Sequence, residues 1–178
     1  MPSLVFCRHG ATEHNLAKRF LSTSDPPLGS RGRAQSERLR EALQPFDFER
    51  CLVSPMRRCL ETRAIAAPQL PFAIEPALRE VDFGSWEGHT LEWAEQHAPE
   101  LLAQRRRDPA RFRPPGGESI EDAATRLAPV ASRLRGKNVL VIGHRIALGV
   151  LERLLRNLPL DSQAVSPLEP GEFRVVGE

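Results

Sequence analysis

Two short apolar runs, each stopping at a histidine beside a glycine, constrain this chain more than any other feature. Leu4-Val5-Phe6-Cys7 leads into Arg8-His9-Gly10-Ala11-Thr12, and Val139-Leu140-Val141-Ile142 leads into Gly143-His144-Arg145. A near-continuous apolar run with a sharp polar end reads as a strand buried on both faces, the kind that sits in a parallel sheet between helices. In such sheets ligands gather at the carboxyl ends of the strands. If the two strands are neighbours, His9 and His144 meet at that edge. Arg8 brings a cation there, Gly10 lets the backbone turn or approach a ligand closely, and Thr12 and Asn15 add neutral donors. The set suits an anionic, phosphorylated group. Taken singly, Arg8 and His9 also read as ordinary strand-end residues facing water, and His144 as a cap or a satisfied core histidine, since short motifs match by chance.

Between the two runs the chain alternates helix and strand. A polar loop, dense in turn formers at Ser22 to Pro27, extends to about Gly29. Ser30 is a plausible N-cap for a helix over 31–43 that Pro45 ends. Residues 46–53 lead into a second strand whose apolar part is Cys51-Leu52-Val53. Ser54 reads as an N-cap and Pro55 as the first residue of a helix that runs to about Ala67. Arg57 and Arg58 in its first turn oppose the helix dipole. That conflict is explained if one guanidinium is aimed at a bound phosphate, or if the turn is simply solvated. Phe72-Ala73-Ile74 is a third strand.

Residues 78–88 form a loop of carboxylates, aromatics and glycines. Such a loop can set a carboxyl group against an apolar wall, where burial disfavours the charged form. Glu80 is the candidate, with a loop salt bridge as the alternative. A helix over 91–107 restarts at Pro99. Arg105 to Arg113 then form a basic run, either a rim over an anionic substrate or a solvated connector. A helix over 119–135 carries an inner stripe of Ile120, Ala123, Ala124, Leu127, Val130, Ala131 and Leu134, and Pro129 should strain it. A last helix spans Ile146 to about Leu155, and 171–176 read as an edge strand.

Composition sets the bounds. A chain of 178 residues has room for one domain with a substantial core. A net charge of +2 is too small to indicate nucleic acid. No apolar run approaches a membrane span, and Met1-Pro2-Ser3 enters the first strand with no secretory signal. Cys7, Cys51 and Cys59 cannot all pair within the chain and lack metal-site spacing. They read as reduced thiols of a cytoplasmic protein.

Taken in order, these motifs resemble the histidine phosphatase superfamily, the phosphoglycerate mutase-like family, from Leu4 to about Leu155. The resemblance rests on Arg8-His9-Gly10-Ala11-Thr12 with Asn15, then Asp25, Pro27-Leu28, Gly32 and Gln35. It continues through Ser54, Arg58 and Thr62, then Leu78, Glu80, Phe83-Gly84 and Trp86-Glu87-Gly88, and ends with Pro115 to Ser119 and Val141 to His144. The expected fold is a three-layer αβα sandwich with a mostly parallel central sheet.

The resemblance implies that His9 is a nucleophile forming a phosphohistidine. Arg8, Arg58 and His144 would hold the phosphoryl oxygens, Glu80 would be the proton donor, and Gly10, Thr12 and Asn15 would line the rim. Phe83 and Trp86 would wall the acid. The chemistry agrees: neighbouring arginines keep an imidazole neutral, and guanidinium forks match phosphate. No metal and no cofactor is required on this reading, because guanidinium groups supply the positive charge. The sequence departs from the family at Arg145, where glycine is common, and at Gly29, where a Ser or Thr cap is common. Arg145 is therefore counted with the substrate-binding residues. The activity implied is a metal-independent phosphomonoester phosphatase acting on a small phosphorylated metabolite, with neither nucleic acid nor membrane as partner. The alternatives are a cofactor-dependent phosphoglycerate mutase and an inactive phospho-ligand-binding member. The substrate and the oligomeric state, a homodimer included, stay open.

Overall fold

A computed structural model of the chain describes residues 4–161 and 166–176; the expectation resting on Met1-Pro2-Ser3 lies outside them. The described strands are β1 (Leu4–Arg8), β2 (Arg50–Val53), β3 (Phe72–Ile74), β4 (Val139–Gly143) and β5 (Phe173–Val175). They form one sheet in the order β3-β2-β4-β1-β5. All pairings are parallel except the antiparallel β1–β5 edge. The described helices are α1 (Glu13–Leu16), α2 (Ser30–Ala42), α3 (Arg57–Ala66), α4 (Leu91–His97), α5 (Pro99–Arg107), α6 (Ile120–Leu134) and α7 (Arg145–Arg156).

The two apolar runs are indeed neighbours, and every residue of β1 and β4 is buried. Their register pairs Leu4 with Val139 and Arg8 with Gly143, so the residues that follow, His9 and His144, sit level at one edge of the sheet. Strand periodicity then makes the layers. Leu4, Phe6, Val139 and Val141 face α6 and α7, where the predicted stripe of α6 is buried throughout. Val5, Cys7, Leu140 and Ile142 face the opposite way, onto Leu39 of α2 and Cys59 and Ala66 of α3. Successive side chains thus feed two cores, one on each side of the sheet. Each fully buried Leu or Ile in them contributes roughly 1.5–3 kcal/mol. A third, smaller cluster of Trp86, Ala94 and Leu102 with Phe20, Phe83 and Phe112 seats α4 and α5 beside the histidine edge.

Local readings need correction in three places. The loop before Gly29 contains α1, whose N-cap Thr12 and N3 residue Asn15 form a reciprocal capping box. Ser30 is not a cap: it is the first residue of α2, and Gly29 holds the cap position without a side-chain bond. Ser54 does not cap α3 and Pro55 is not in it; the helix starts at Arg57, whose N–H donates to Asp25 Oδ1 (2.7 Å), a carboxylate from a distant loop. Residues 46–49 are irregular, although Phe46 and Phe48 pack on the core. Pro129 lies inside α6 on its exposed side, where the carbonyl that loses its donor can face water. Cys7, Cys51 and Cys59 are buried and unbridged. No helix among the described residues is long and apolar enough to cross a membrane.

Candidate active site

The site begins where β1 ends. The His9 N–H donates to the Gly143 carbonyl (3.1 Å) and Gly171 N–H donates to the carbonyls of Arg8 (3.2 Å) and His9 (3.0 Å), so the turn after β1 is pinned on both sides. His9 Nδ1 lies 2.7 Å from the carbonyl of Gly10. A carbonyl only accepts, so Nδ1 carries the hydrogen and Nε2 keeps its lone pair. Burial, with Arg58 and Arg8 adding to it, holds His9 well below the usual histidine range. The imidazole is therefore neutral at pH 7, with its free nitrogen fixed by the other one.

His144 is packed edge-on against it, ring centroids 5.1 Å apart. Arg58 Nη2 stands 3.4 Å from His144 Nδ1 and Ser54 Oγ stands 2.8 Å from Nε2. Arginine can only donate, so Nδ1 is the acceptor and Nε2–H donates to the serine. Burial, then Arg58 and His9, keep this ring neutral as well.

Two buried guanidinium groups flank the histidines. Arg8 Nη1 donates to the Leu168 carbonyl (3.0 Å), and Arg58 donates to the carbonyls of Ser24 (2.9 Å) and Ser22 (3.1 Å). Burial holds both below the usual arginine range, though arginine stays charged at neutral pH. Yet Arg8 Nε and Arg58 Nε, both buried, have no hydrogen-bond partner among the described residues. Orphaned buried donors of this kind cost on the order of 1–3 kcal/mol each. The α3 arginine Arg63 has a similar orphan Nε away from the histidines, over the Phe72 ring.

Glu80 faces this group from the loop after β3. Its Oε1 accepts from the N–H groups of Val81 (3.0 Å) and Ala147 (3.0 Å), and its Oε2 from that of Ile146 (3.2 Å). The carboxyl group therefore sits on the first turn of α7, one residue beyond His144 and Arg145. Phe83 lines the same cavity, but Trp86 does not: it is buried in the third cluster, so only half of the expected aromatic wall is present.

The loop is held at a distance by contacts that sequence reasoning did not assign. Glu87 accepts from the N–H groups of Ser22 and Ser24, the Ser22 hydroxyl accepts from Phe83 N–H (3.0 Å), and Arg58 closes the circuit on the same serines' carbonyls. On the other side Arg126 grips Glu118 through Nε (2.7 Å) and Nη2 (2.9 Å) and donates to the Ala77 carbonyl. None of these contacts leaves a local pattern. Ser54 did leave a signal, a serine before proline, but it was read as a cap.

The rim differs from expectation. A Cβ on Gly10 would lie 2.4 Å from the Gly32 carbonyl oxygen, and its N–H donates to Thr62 Oγ1 (3.0 Å), so this glycine admits α2 rather than a ligand. Thr12 is fully buried and engaged in capping α1, not at the rim. Asn15 does line the cavity, of about 470 Å³, together with Arg8, His9, Glu80 and Arg145. Arg145 opens α7 in ordinary helical geometry, so glycine is not required there, and its Nε donates to the Ser166 carbonyl (3.3 Å). The basic run divides: Arg106, Arg111 and Arg113 pair with Glu95, Glu121 and Asp122, and Arg105 lines the cavity.

A neutral histidine pair between buried arginines, faced by a carboxylate at the end of a parallel sheet, defines a phosphoryl-handling class. The chain belongs to the histidine phosphatase superfamily (branch 1), whose family model matches residues 4–176. It is 38% identical over 152 residues to the bovine 6-phosphofructo-2-kinase/fructose-2,6-bisphosphatase 1, covering 84% of this chain and 31% of that one. The chain thus spans about a third of that bifunctional relative. It is 31% identical to the 2,3-bisphosphoglycerate-dependent phosphoglycerate mutase of Cytophaga hutchinsonii, covering 98% of this chain and 87% of the other. Among solved structures, a mycobacterial glucosyl-3-phosphoglycerate phosphatase in complex with VO3 superposes with a TM-score of 0.87 at 26% identity, covering 97% and 90%. The alpha-ribazole phosphatase of Shigella flexneri does so with 0.84 at 26%, covering 96% and 88%.

Proposed function

We propose that the protein is a phosphomonoester phosphatase that works through a phosphohistidine on His9. The observation that carries this reading is the neutral His9, its Nε2 lone pair set free by the Nδ1–Gly10 bond, between two buried arginines whose Nε–H groups have no acceptor among the described residues. A phosphoryl group supplies the missing acceptors. His9 Nε2 attacks phosphorus in line, the P–O ester bond breaks, and Glu80 gives its proton to the leaving oxygen. Water then attacks the phosphohistidine with Glu80 taking its proton back, and P–N cleavage returns the free imidazole. Arg8 and Arg58 stabilise the charge on the equatorial oxygens, the largest contribution in reactions of this type. His144 joins them once it takes a proton on Nδ1, which a phosphate dianion beside it favours. The phosphatases among the structural relatives support hydrolysis.

The near end-to-end similarity to the Cytophaga mutase favours a second reading, a 2,3-bisphosphoglycerate-dependent mutase, in which a second substrate replaces water. Phosphate release from a panel of phosphomonoesters in EDTA, with 3-phosphoglycerate present with and without 2,3-bisphosphoglycerate, separates the two. Release from a panel member at kcat/KM near ~10⁴ M⁻¹s⁻¹ or above is the expected result; interconversion of 3- and 2-phosphoglycerate without release makes it a mutase. His9→Ala should lose at least about a thousandfold in kcat, and retention within tenfold overturns the nucleophile.

A further inference from the structure

The cavity over His9 does not end at Glu80. It shares the wall residues Phe83, Leu91, Arg105 and Ile146 with a second chamber of about 390 Å³. That chamber is walled by apolar side chains of the segment between the acid loop and α6, chiefly Trp86, Leu102, Pro109, Phe112 and Pro114. Its charged wall residues are otherwise satisfied: Arg106 pairs with Glu95 (3.9 Å) and Glu118 with Arg126 (2.7 Å). Arg105 stands at the neck between the chambers and has no carboxylate or carbonyl partner among the described residues. Its one contact of note is with the Trp86 ring, 6.0 Å from the centroid. Burial alone holds its guanidinium below the usual arginine range. A phosphate-sized substrate would fill the polar chamber and leave an apolar chamber beside it, behind shared wall residues that include an unpaired cation.

We infer that the substrate is a phosphomonoester whose alcohol part carries an extended apolar body. The phosphate lies at His9, the body passes Phe83 and Leu91 into the chamber at Trp86 and Phe112, and Arg105 donates to an acceptor atom at the neck. This rests on the phosphatase reading above and adds the chemical class of the leaving group.

A series of n-alkyl phosphates from ethyl to octyl isolates the chamber, because the leaving alkoxides have nearly the same basicity. The expected kcat/KM rises on the order of threefold per methylene, the size seen when a CH₂ leaves water, until the chamber is filled. Pro109→Arg, which puts a charge on a wall residue of the chamber alone, should flatten the slope; the slope is read rather than the level, so a general loss of fold lowers all esters alike. Arg105→Met should cost N-hexanoyl-2-aminoethyl phosphate about tenfold relative to octyl phosphate, and equal effects on both overturn the role of Arg105. A flat series, with His9-dependent hydrolysis of ethyl phosphate intact, overturns the chamber assignment and leaves the phosphatase standing. No turnover of any ester overturns both.

Discussion

At the scale of single residues the candidate site is marked by selected atoms left unsatisfied. Most polar atoms around His9 have partners, and the exceptions are telling: Nε2 of His9, kept free by Nδ1, and the Nε–H groups of Arg8 and Arg58. Glu80 is the opposite case, with its two oxygens taking three N–H bonds. Glu80→Gln keeps the shape but sets an amide NH₂ against one of those donors, so it carries a structural cost besides the loss of a proton. Comparing two esters separates the effects. An alkyl phosphate, whose leaving group needs the proton, should lose about 10²–10⁴-fold in kcat. p-Nitrophenyl phosphate, whose departure needs little acid help, should lose about tenfold or less on the same ground. Equal losses would show that Glu80 only holds the turn.

At the scale of elements, what was legible in the sequence was whatever repeats along one strand or helix. The unbroken apolar runs of β1 and β4 and the stripe of α6 are written in consecutive residues, and they fix the layers and the meeting of His9 with His144. The starts of helices were misread where a distant group does the capping. Asp25 caps α3 from across the site, which released Ser54 to hold His144, and no local window contains that trade. The packing role of Gly10 was missed for the same reason. Gly10 and Gly32 are small because each lies against the other's segment: a Cβ on Gly32 would stand 2.1 Å from the Ala11 carbonyl oxygen. Gly32→Ala must therefore push α2 away from the His9 turn. Overpacking against backbone of this kind costs typically 1–3 kcal/mol, so chemical denaturation should show a lower midpoint at unchanged slope, with kcat falling because the turn moves. A wild-type midpoint would mean that α2 slides freely.

At the scale of the molecule the buried histidines make stability depend on pH. Both are depressed in the folded chain, so the unfolded chain binds their protons first. Stability is then full above the unfolded histidine value near ~6.5 and declines as pH falls through and below it, by up to about 1.4 kcal/mol per pH unit for each ring. Thermal unfolding without ligand should move to lower temperature between pH 7 and 5, and inorganic phosphate, which favours protonated His144, should lessen the drop. A melting temperature indifferent to pH across that range would mean that the rings are not held neutral. One further property follows from the sheet order. The strand carrying Arg8 and the turn carrying His9 are made well before the partners of β1, which lie in residues 139–143 and 173–175. Until the ribosome has delivered both, β1 is an apolar strand with two bare edges, the form most prone to pair with other chains. Such long-range closure is slow, because the loop must be ordered before its contacts repay it. The nascent chain therefore carries an apolar strand with bare edges until β4 and β5 have been made, and the edge bearing His9 and His144 is assembled only then.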